Sequence, residues 1–241
     1  MTKPLLIIKT GNTIAALLEA GTDFEDWFRS GCELAQTETM VCSLHLNEAL
    51  PPLDSVGGII ITGSPAYVTD LADWNYIGAD YIRMAHQKAV PILGVCYGHQ
   101  LIAWAFGGKV DFNPNGREIG TVTIDLADAA AADALFKGLP EQFKANASHQ
   151  QSVTQLPAGA VRLAFNELDG NHGFSLGDVT WGLQFHPEFT GATTRAYIKA
   201  RSGDINNEGL QADCLHAAVE ETPEAASLLK RFRAIMQSRA S

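Results

Sequence analysis

The chain has 241 residues and a mass of 25.9 kDa, with 46% hydrophobic and 18% charged residues. This composition supports a sizeable buried core and argues against intrinsic disorder. Lys and Arg number 17 and Asp and Glu number 27, which gives a formal net charge of −10. Because no basic run and no bilayer-length apolar stretch is present, we expect neither nucleic acid nor a membrane as a partner.

The N-terminal residues 1–8 predict a first strand rather than a secretory signal, because the apolar run is short and no small-residue cleavage site follows it. The thiols are scattered along the chain and form no C-x-x-C pair: Cys32, Cys42, Cys96 and Cys214. We therefore expect neither a metal site nor a redox dithiol. Free thiols without a spacing pattern are typical of a reducing compartment, which predicts a cytoplasmic protein.

Short apolar runs alternate with amphipathic stretches in the first half of the chain, as in an α/β domain. The predicted strands cover residues 5–8, 39–44, 57–62 and 91–95. Apolar residues recur at helical spacing between Asp73 and Ala89, and a second helix over 97–106 directly follows the fourth strand. The continuous apolar run of the third strand indicates burial on both faces of a parallel sheet.

The segment 109–181 has short apolar runs separated by turns, which predicts antiparallel or mixed strands. A late strand follows over 181–185 and ends at His186. From Thr190 onward the pattern is helical, and the last helix has an apolar face of Leu228, Phe232 and Ile235. That face fits either core packing or contact between subunits of a homo-oligomer.

Together these elements predict a three-layer α/β fold with a mostly parallel open sheet flanked by helices. The simplest division is a domain over residues 1–189 and a helical extension over 190–241 that packs on the same domain.

The sequence Gly-Val-Cys-Tyr-Gly-His-Gln over residues 94–100 lies where a buried strand passes directly into a helix. A nucleophile on such a turn projects from the edge of the sheet, and small neighbours let a substrate approach it. The N-terminus of the helix also favours the thiolate of Cys96. An inert buried thiol is the alternative, and Gly94 and Gly98 make it the weaker interpretation for this cysteine.

The tripeptide His186-Pro187-Glu188 directly follows the late strand. Residues two apart on an extended segment point to the same side, so the carboxylate can reach the imidazole. Such a carboxylate fixes the tautomer of the histidine and stabilises its protonated form. His-Pro-Glu alone occurs often by chance, but together with Cys96 it predicts a nucleophile, a base and a residue that orients the base.

These stretches resemble the class I, triad-type glutamine amidotransferases. The resemblance rests on the motifs at 94–100 and 182–188, on Ile-Thr-Gly-Ser-Pro at 61–65 and on Ala-Ser-His-Gln-Gln-Ser-Val at 147–153. It covers about residues 5–189 and is strongest to stand-alone glutaminase proteins similar to GMP synthetase. It implies a flavodoxin-like arrangement of the open sheet and no cofactor.

The resemblance also implies a glutaminase mechanism. Cys96 would attack the side-chain amide of glutamine, and His186 would protonate the leaving ammonia and then activate water to cleave a γ-glutamyl thioester. Glu188 would orient His186. The backbone amides of Ser64 and Tyr97 would form the oxyanion hole.

By the same resemblance, the substrate-binding residues are Gly63, Gln100, Ser148, His149 and Gln150. The chain departs from the family at two of these places. The turn reads Gly-Ser-Pro where Gly-Gly-Pro is more usual, and the loop reads Ser-His-Gln-Gln where many members have Ser-His-Gly-Asp.

Three hypotheses for function stay open. The first is a glutaminase subunit that supplies ammonia to a separate synthase, since no second catalytic domain and no ATP-binding loop is recognised here. The second is a free-standing hydrolase of γ-glutamyl peptides or amides with the same three residues. The third is a non-catalytic regulatory module, which the intact Cys-His-Glu set disfavours. Glu118 belongs to a stretch that recurs in stand-alone members, without an assigned role.

Overall fold

A computed structural model describes residues 3–239; Met1 and Thr2, part of the predicted first strand segment, lie outside the described residues, as do the last two residues of the chain. The strands are β1 Leu5–Lys9, β2 Thr39–Ser43, β3 Gly58–Ile61, β4 Ile92–Val95, β5 Lys109–Phe112, β6 Glu118–Leu126, β7 Gln142–His149, β8 Gln151–Gln155, β9 Ala160–Phe165, β10 Gly173–Leu176 and β11 Thr180–Leu183. The helices are α1 Ala15–Glu19, α2 Phe24–Gly31, α3 Asp73–Gln87, α4 Tyr97–Ala105, α5 Gly191–Ala200, α6 Ser202–Asn207, α7 Ala212–Ala217 and α8 Pro223–Arg239.

A nine-stranded sheet has the order β2-β1-β3-β4-β11-β10-β9-β6-β7, and β5 pairs with β8 in a second, two-stranded sheet. Strands β2, β1, β3, β4 and β11 are parallel. The remaining four strands of the large sheet, from the middle of the chain, pair antiparallel. The predicted change of strand direction over 109–181 is therefore confirmed.

The central strands are buried on both faces because their side chains alternate between two layers of helices. In β1, Leu5 and Ile7 belong to the apolar cluster that includes α2 and α8, whereas Leu6 and Ile8 belong to the cluster that includes α3 and α4. The continuous apolar runs of the sequence follow directly from this double burial.

The C-terminal segment is helical, as predicted, and α8 lies against the sheet. Leu228 and Phe232 are fully buried, and the ring of Phe232 contacts that of Trp181 in β11. These side chains therefore belong to the core rather than to a contact between subunits. The division of the chain at residue 189 stays a prediction.

The topology fixes where polar residues can meet. In parallel strands the carboxyl ends lie at one edge of the sheet, so the segments after β1, β3, β4 and β11 come together there. Gly63, Cys96 and His186 each lie within three residues of such a strand end. Between residues 3 and 239, no helix combines the length and apolar character that a membrane span requires.

Candidate active site

Cys96 occupies a sharp turn between β4 and α4. Its backbone has φ 52° and ψ −101°, a region that non-glycine residues rarely adopt. A Cβ on Gly94 would lie 2.4 Å from the carbonyl oxygen of Gly98, and a Cβ on Gly98 would lie 2.4 Å from that of Ile61. Both glycines are therefore required for the close approach of strand and helix that presents the thiol, as the sequence predicts.

His186 lies between Cys96 and Glu188. Its Nδ1 is 2.7 Å from Oε1 of Glu188, and its ring interacts electrostatically with the thiol of Cys96, whose Sγ lies 3.9 Å from the carbonyl oxygen of Ser148. The ring stacks on Phe189 with a centroid separation of 3.9 Å and an interplanar angle of 12°. All three predicted residues are buried, and the contact of Nδ1 with Glu188 leaves Nε2 as the other ring nitrogen that His186 can use for proton transfer.

The charges of this chain of side chains stabilise one another. Burial alone would raise the pKa of the Cys96 thiol, but the adjacent His186 outweighs it and lowers the pKa below its usual value. Burial would likewise lower the pKa of His186, but the charges of Glu188 and Cys96 raise it to about 10. Each charge therefore favours the other, the thiolate of Cys96 and the imidazolium of His186.

The turn after β3 lies beside the pair. A Cβ on Gly63 would come within 3.0 Å of Cε1 of His186, so a side chain there would press on the ring. Oγ of Ser64 donates to the carbonyl oxygen of Thr10 at 2.6 Å and accepts from the amide of Ala66 at 3.1 Å. The serine that replaces the usual glycine thus ties the turn to the segment after β1.

Two cavities flank Cys96. The first, about 60 Å³, is lined by Ser64, Pro65, Ala66, Tyr67, Cys96, Tyr97, Gln100, Arg117, Ser148, His149, Gln150, Gln151 and Arg201. The second, about 70 Å³, is lined by Asn12, Thr13, Ile14, Phe24, Ser64, Pro65, Cys96, Ser148, His186, Tyr197 and Arg201. The predicted oxyanion and substrate residues thus lie together around the first cavity, except for Gly63, which lies against His186.

Gln100 is one turn of α4 after Cys96, as the sequence predicts. Its Nε2 donates to the carbonyl oxygen of Gln151 at 2.8 Å and to Oε1 of Gln184 at 3.0 Å. Both amide hydrogens are therefore used inside the protein. The side-chain oxygen of Gln100 is the atom that it can offer to a ligand as an acceptor.

The side chain of His149 fixes the loop at 148–151 to the rest of the domain. Nε2 of His149 is 2.9 Å from Oε2 of Glu118, and Nδ1 is 3.0 Å from the carbonyl oxygen of Gln151. The side chains of His149 and Glu118 are 1% and 2% exposed. The imidazole therefore supports the loop, and Glu118 has a structural contact that the sequence did not reveal.

Gln150, which stands where many members have an acid, has its side chain fixed at both ends. Tyr67 donates its hydroxyl hydrogen to Oε1 of Gln150, and Nε2 of Gln150 donates to Oε1 of Glu208 at 3.1 Å. Glu208 in turn makes two hydrogen bonds with Arg117, at 2.7 and 2.8 Å. Sequence reasoning missed Tyr67, Arg117 and Glu208, since no spacing pattern connects them with the loop.

Behind the loop, Glu118, His149 and His172 place one ligand atom each within 4.8 Å of one another, so these three residues could hold a metal ion. The structure also accounts for them as an ion-paired group. Nε2 of His172 is 2.7 Å from Glu118, and despite burial the two histidines hold the pKa of Glu118 well below its usual range. His172 is thus fully buried beside a carboxylate, a contact that the sequence interpretation did not include.

His99 lies behind the site, whereas the next residue of α4, Gln100, lines the first cavity. His99 packs against Phe174, and burial lowers its pKa to about 3, so it is neutral. Its role is in the core behind the site.

The chain belongs to the class-I glutamine amidotransferases, because the model of the family described as glutamine amidotransferase class-I matches residues 18–202. The resemblance inferred from the motifs is therefore confirmed. A solved structure of a glutamine amidotransferase from Thermotoga maritima has the same fold, with a TM-score of 0.74 and 22% identity, and the match covers 100% of this chain and 99% of that one.

Two relatives with different named activities are similar to the chain. The GMP synthase (glutamine-hydrolyzing) of Porphyromonas gingivalis is 35% identical over 189 residues, which are 76% of this chain and 36% of that protein. A γ-glutamyl-L-1-hydroxyisopropylamide hydrolase from a Pseudomonas species is 27% identical over 189 residues, 74% of this chain and 62% of the hydrolase. The chain thus spans little more than a third of the length of the GMP synthase.

Proposed function

We propose that the chain is a hydrolase of γ-glutamyl amide bonds that works through a thioester on Cys96. The observation that carries the proposal is the buried cluster of Cys96, His186 and Glu188, in which His186 is hydrogen-bonded to Glu188 and electrostatically coupled to Cys96, with the thiol on a strained turn between two cavities. The family membership and the names of both relatives agree with an enzyme of this kind.

In the first half-reaction, the thiolate of Cys96 attacks the γ-carbonyl carbon of the substrate. Negative charge develops on the carbonyl oxygen, and the backbone amides of Ser64 and Tyr97, which line the first cavity with Cys96, would stabilise it. His186 gives its Nε2 proton to the departing nitrogen, the carbon–nitrogen bond breaks, and a γ-glutamyl thioester remains.

In the second half-reaction, the now neutral His186 takes a proton from water as the water attacks the thioester. The carbon–sulfur bond breaks, glutamate leaves, and the thiolate–imidazolium pair is restored. Glu188 orients the imidazole and stabilises its protonated form in both steps. The buried position of all three residues keeps their charges strongly coupled.

Glutamine is the simplest substrate of this reaction, with ammonia as the leaving group. The matched part is 36% of the GMP synthase relative, so ammonia released here would be consumed by a synthase that this chain does not match, on a separate subunit. Gly63, Gln100 and the loop residues Ser148, His149 and Gln150 would hold the glutamyl group, the loop chiefly through its backbone.

Amides of larger amines are the second candidate substrates. The specific observation in their favour is the second cavity, which lies on the His186 side of the thiol, where the leaving group must depart. The named activity of the Pseudomonas relative, hydrolysis of a γ-glutamyl alkylamide, agrees with it.

The test is steady-state release of ammonia or amine from glutamine and from γ-glutamyl amides by the purified chain, with Cys96→Ala as the matched inactive variant. We expect glutamate formation that depends on Cys96, and a mass increase of one γ-glutamyl group on Cys96 when turnover is stopped with acid. Glutamate formation that persists in Cys96→Ala would refute the proposal. A wild-type chain that hydrolyses no γ-glutamyl amide, with or without a synthase, would also refute it.

A further inference from the structure

We propose that the second cavity is a subsite for the leaving amine and that Arg201 makes it select amines that carry a carboxylate. The substrates of this class are γ-glutamyl amino acids and peptides. The inference rests on the γ-glutamyl amide hydrolysis proposed above and assigns its substrate class.

The position of His186 decides which cavity takes which half of the substrate. His186 lines the second cavity and not the first. Since the departing nitrogen must receive its proton from His186, the amine must lie on that side of the thiol. The glutamyl half is then directed to the first cavity, where Gln100 and the loop at 148–151 present polar groups.

The second cavity is larger than ammonia requires. A space of about 10–15 Å³ on the same measure already accommodates one water, which is similar in size to ammonia. The cavity measures about 70 Å³. Ile14 and Phe24 form apolar parts of its wall, which suit the carbon atoms of an amine rather than ammonia alone.

The polar part of the wall is rigid. The hydroxyl groups of Thr13 and Tyr197 are 2.8 Å apart and hydrogen-bonded, and the amide of Thr13 donates to Oδ1 of Asp23 at 2.9 Å. The segment after β1 and helix α5 are thereby joined across the cavity. A subsite built on such fixed elements holds its shape before the substrate arrives.

Arg201 lines both cavities and supplies a positive charge at this wall. Its guanidinium carbon lies 4.9 Å from the centroid of the Tyr197 ring, which fixes its direction. Among residues 3–239, no carboxylate lies within ion-pair distance of Arg201, whereas Arg117 of the first cavity is paired with Glu208. In a chain of net charge −10, an arginine that faces a cavity without an acidic partner is suited to bind an anionic ligand.

The anion that would reach Arg201 is the carboxylate of an amino acid that forms the leaving amine. In a γ-glutamyl amino acid it is one carbon from the amide nitrogen, so it enters the cavity together with the leaving group. The planar guanidinium can donate two parallel hydrogen bonds to it. Thioester formation then releases the free amino acid, after its nitrogen has accepted the proton of His186.

The test compares kcat/KM for γ-glutamylglycine and γ-glutamylglycinamide, which have the same shape and differ in the charge of the leaving amine. The variants are Arg201→Gln and, as a matched control, Lys199→Gln, an exposed cation two residues earlier in α5 that lines neither cavity. We expect the wild type to prefer γ-glutamylglycine by about tenfold to a hundredfold, the range of a charge-assisted hydrogen-bond pair. Arg201→Gln should reduce that ratio to near one, and Lys199→Gln should leave it unchanged.

Two outcomes overturn the inference. One is a wild-type enzyme without preference for the charged amine. The other is an equal loss for both substrates in Arg201→Gln, which would assign Arg201 to the carboxylate of the glutamyl half. Failure of the proposed function can be told apart from failure of the subsite inference alone. In the first case the wild type would hydrolyse neither the two amides nor glutamine, and the subsite inference would then also be wrong.

Discussion

The two sides of Cys96 are built in different ways. On one side, His186, Glu188 and Phe189 lie within four consecutive residues and make their contacts with one another. On the other side, the loop at 148–151 depends on side chains from distant parts of the chain, such as Glu118 and Glu208. The proposed proton-transfer pair thus depends on local contacts, whereas the proposed substrate loop is held by long-range contacts. Changes on the two sides should therefore affect different kinetic constants.

The largest effect should come from substitutions that remove the proposed reacting groups themselves. Cys96→Ala and His186→Ala should each lower kcat by about 10³-fold or more, because the nucleophile or the proton carrier is absent. The measurement is glutamate release, together with labelling by a glutamine-analogue electrophile. Cys96 should be labelled once, and Cys214→Ala, which removes an exposed thiol, should change neither result. Labelling of Cys214 with an unmodified Cys96 would contradict the assignment.

A smaller effect on the same side is expected for Glu188→Gln, since the imidazole remains and loses its orienting charge. We expect kcat to fall by about 10²-fold, less than in His186→Ala. The raised pKa of His186, about 10, depends in part on the charge of Glu188. Activity that needs protonated His186 is lost as pH rises through that pKa, so the alkaline limb of kcat/KM should move to lower pH in the variant. An unmoved limb would show that Glu188 does not act through the histidine.

On the loop side, Glu118→Gln should raise KM by about tenfold with a smaller effect on kcat. The variant removes the buried anion that holds His149, which loosens the loop without touching the reacting atoms. Removal of one member of a buried ion pair should also lower the free energy of unfolding by about 3 kcal/mol. Both are measured by kinetics and denaturant unfolding, with Glu141→Gln as an exposed control. A fall in kcat at constant KM would instead assign Glu118 to the chemistry.

The smallest effect is expected for Glu208→Gln, which weakens the contacts of Arg117 and Gln150 at the outer end of the loop. Glu208 is partly exposed, so we expect KM to rise by about two- to fivefold and kcat to stay the same. Glu33→Gln, which removes a carboxylate paired with Lys230 far from the site, serves as the control. A fall in kcat as large as that of Glu188→Gln would contradict the prediction that the loop side of the site affects KM and the His186 side affects kcat.

The same difference explains what could be predicted from the sequence. The strand–turn–helix around Cys96 and the pair of His186 and Glu188 are short and regular, so pattern and spacing were sufficient to predict their geometry. The sheet was predictable for the same reason, with small errors such as β2, which ends at Ser43 because Leu44 begins a short turn of helix.

The remaining parts of the site were not predictable, because they are contacts between segments without a common pattern. Tyr67 and Gln150 are 83 residues apart, and Gln150 and Glu208 are 58 residues apart. Arg201 lies beyond the motifs altogether and reaches both cavities only because α5 packs beside the segment after β1. The contact of His172 with Glu118 could not be predicted for the same reason.

The turn at Cys96 has a further consequence for the stability of the fold. A side chain held at φ 52° and ψ −101° raises the energy of the folded state by about 1–3 kcal/mol, which glycine at the same position would largely avoid. Total stability of a domain this size is about 5–15 kcal/mol, so the strain is a substantial fraction of it. If Cys96 is the nucleophile, the enzyme thus accepts a lower folding stability in order to present its thiol at this turn.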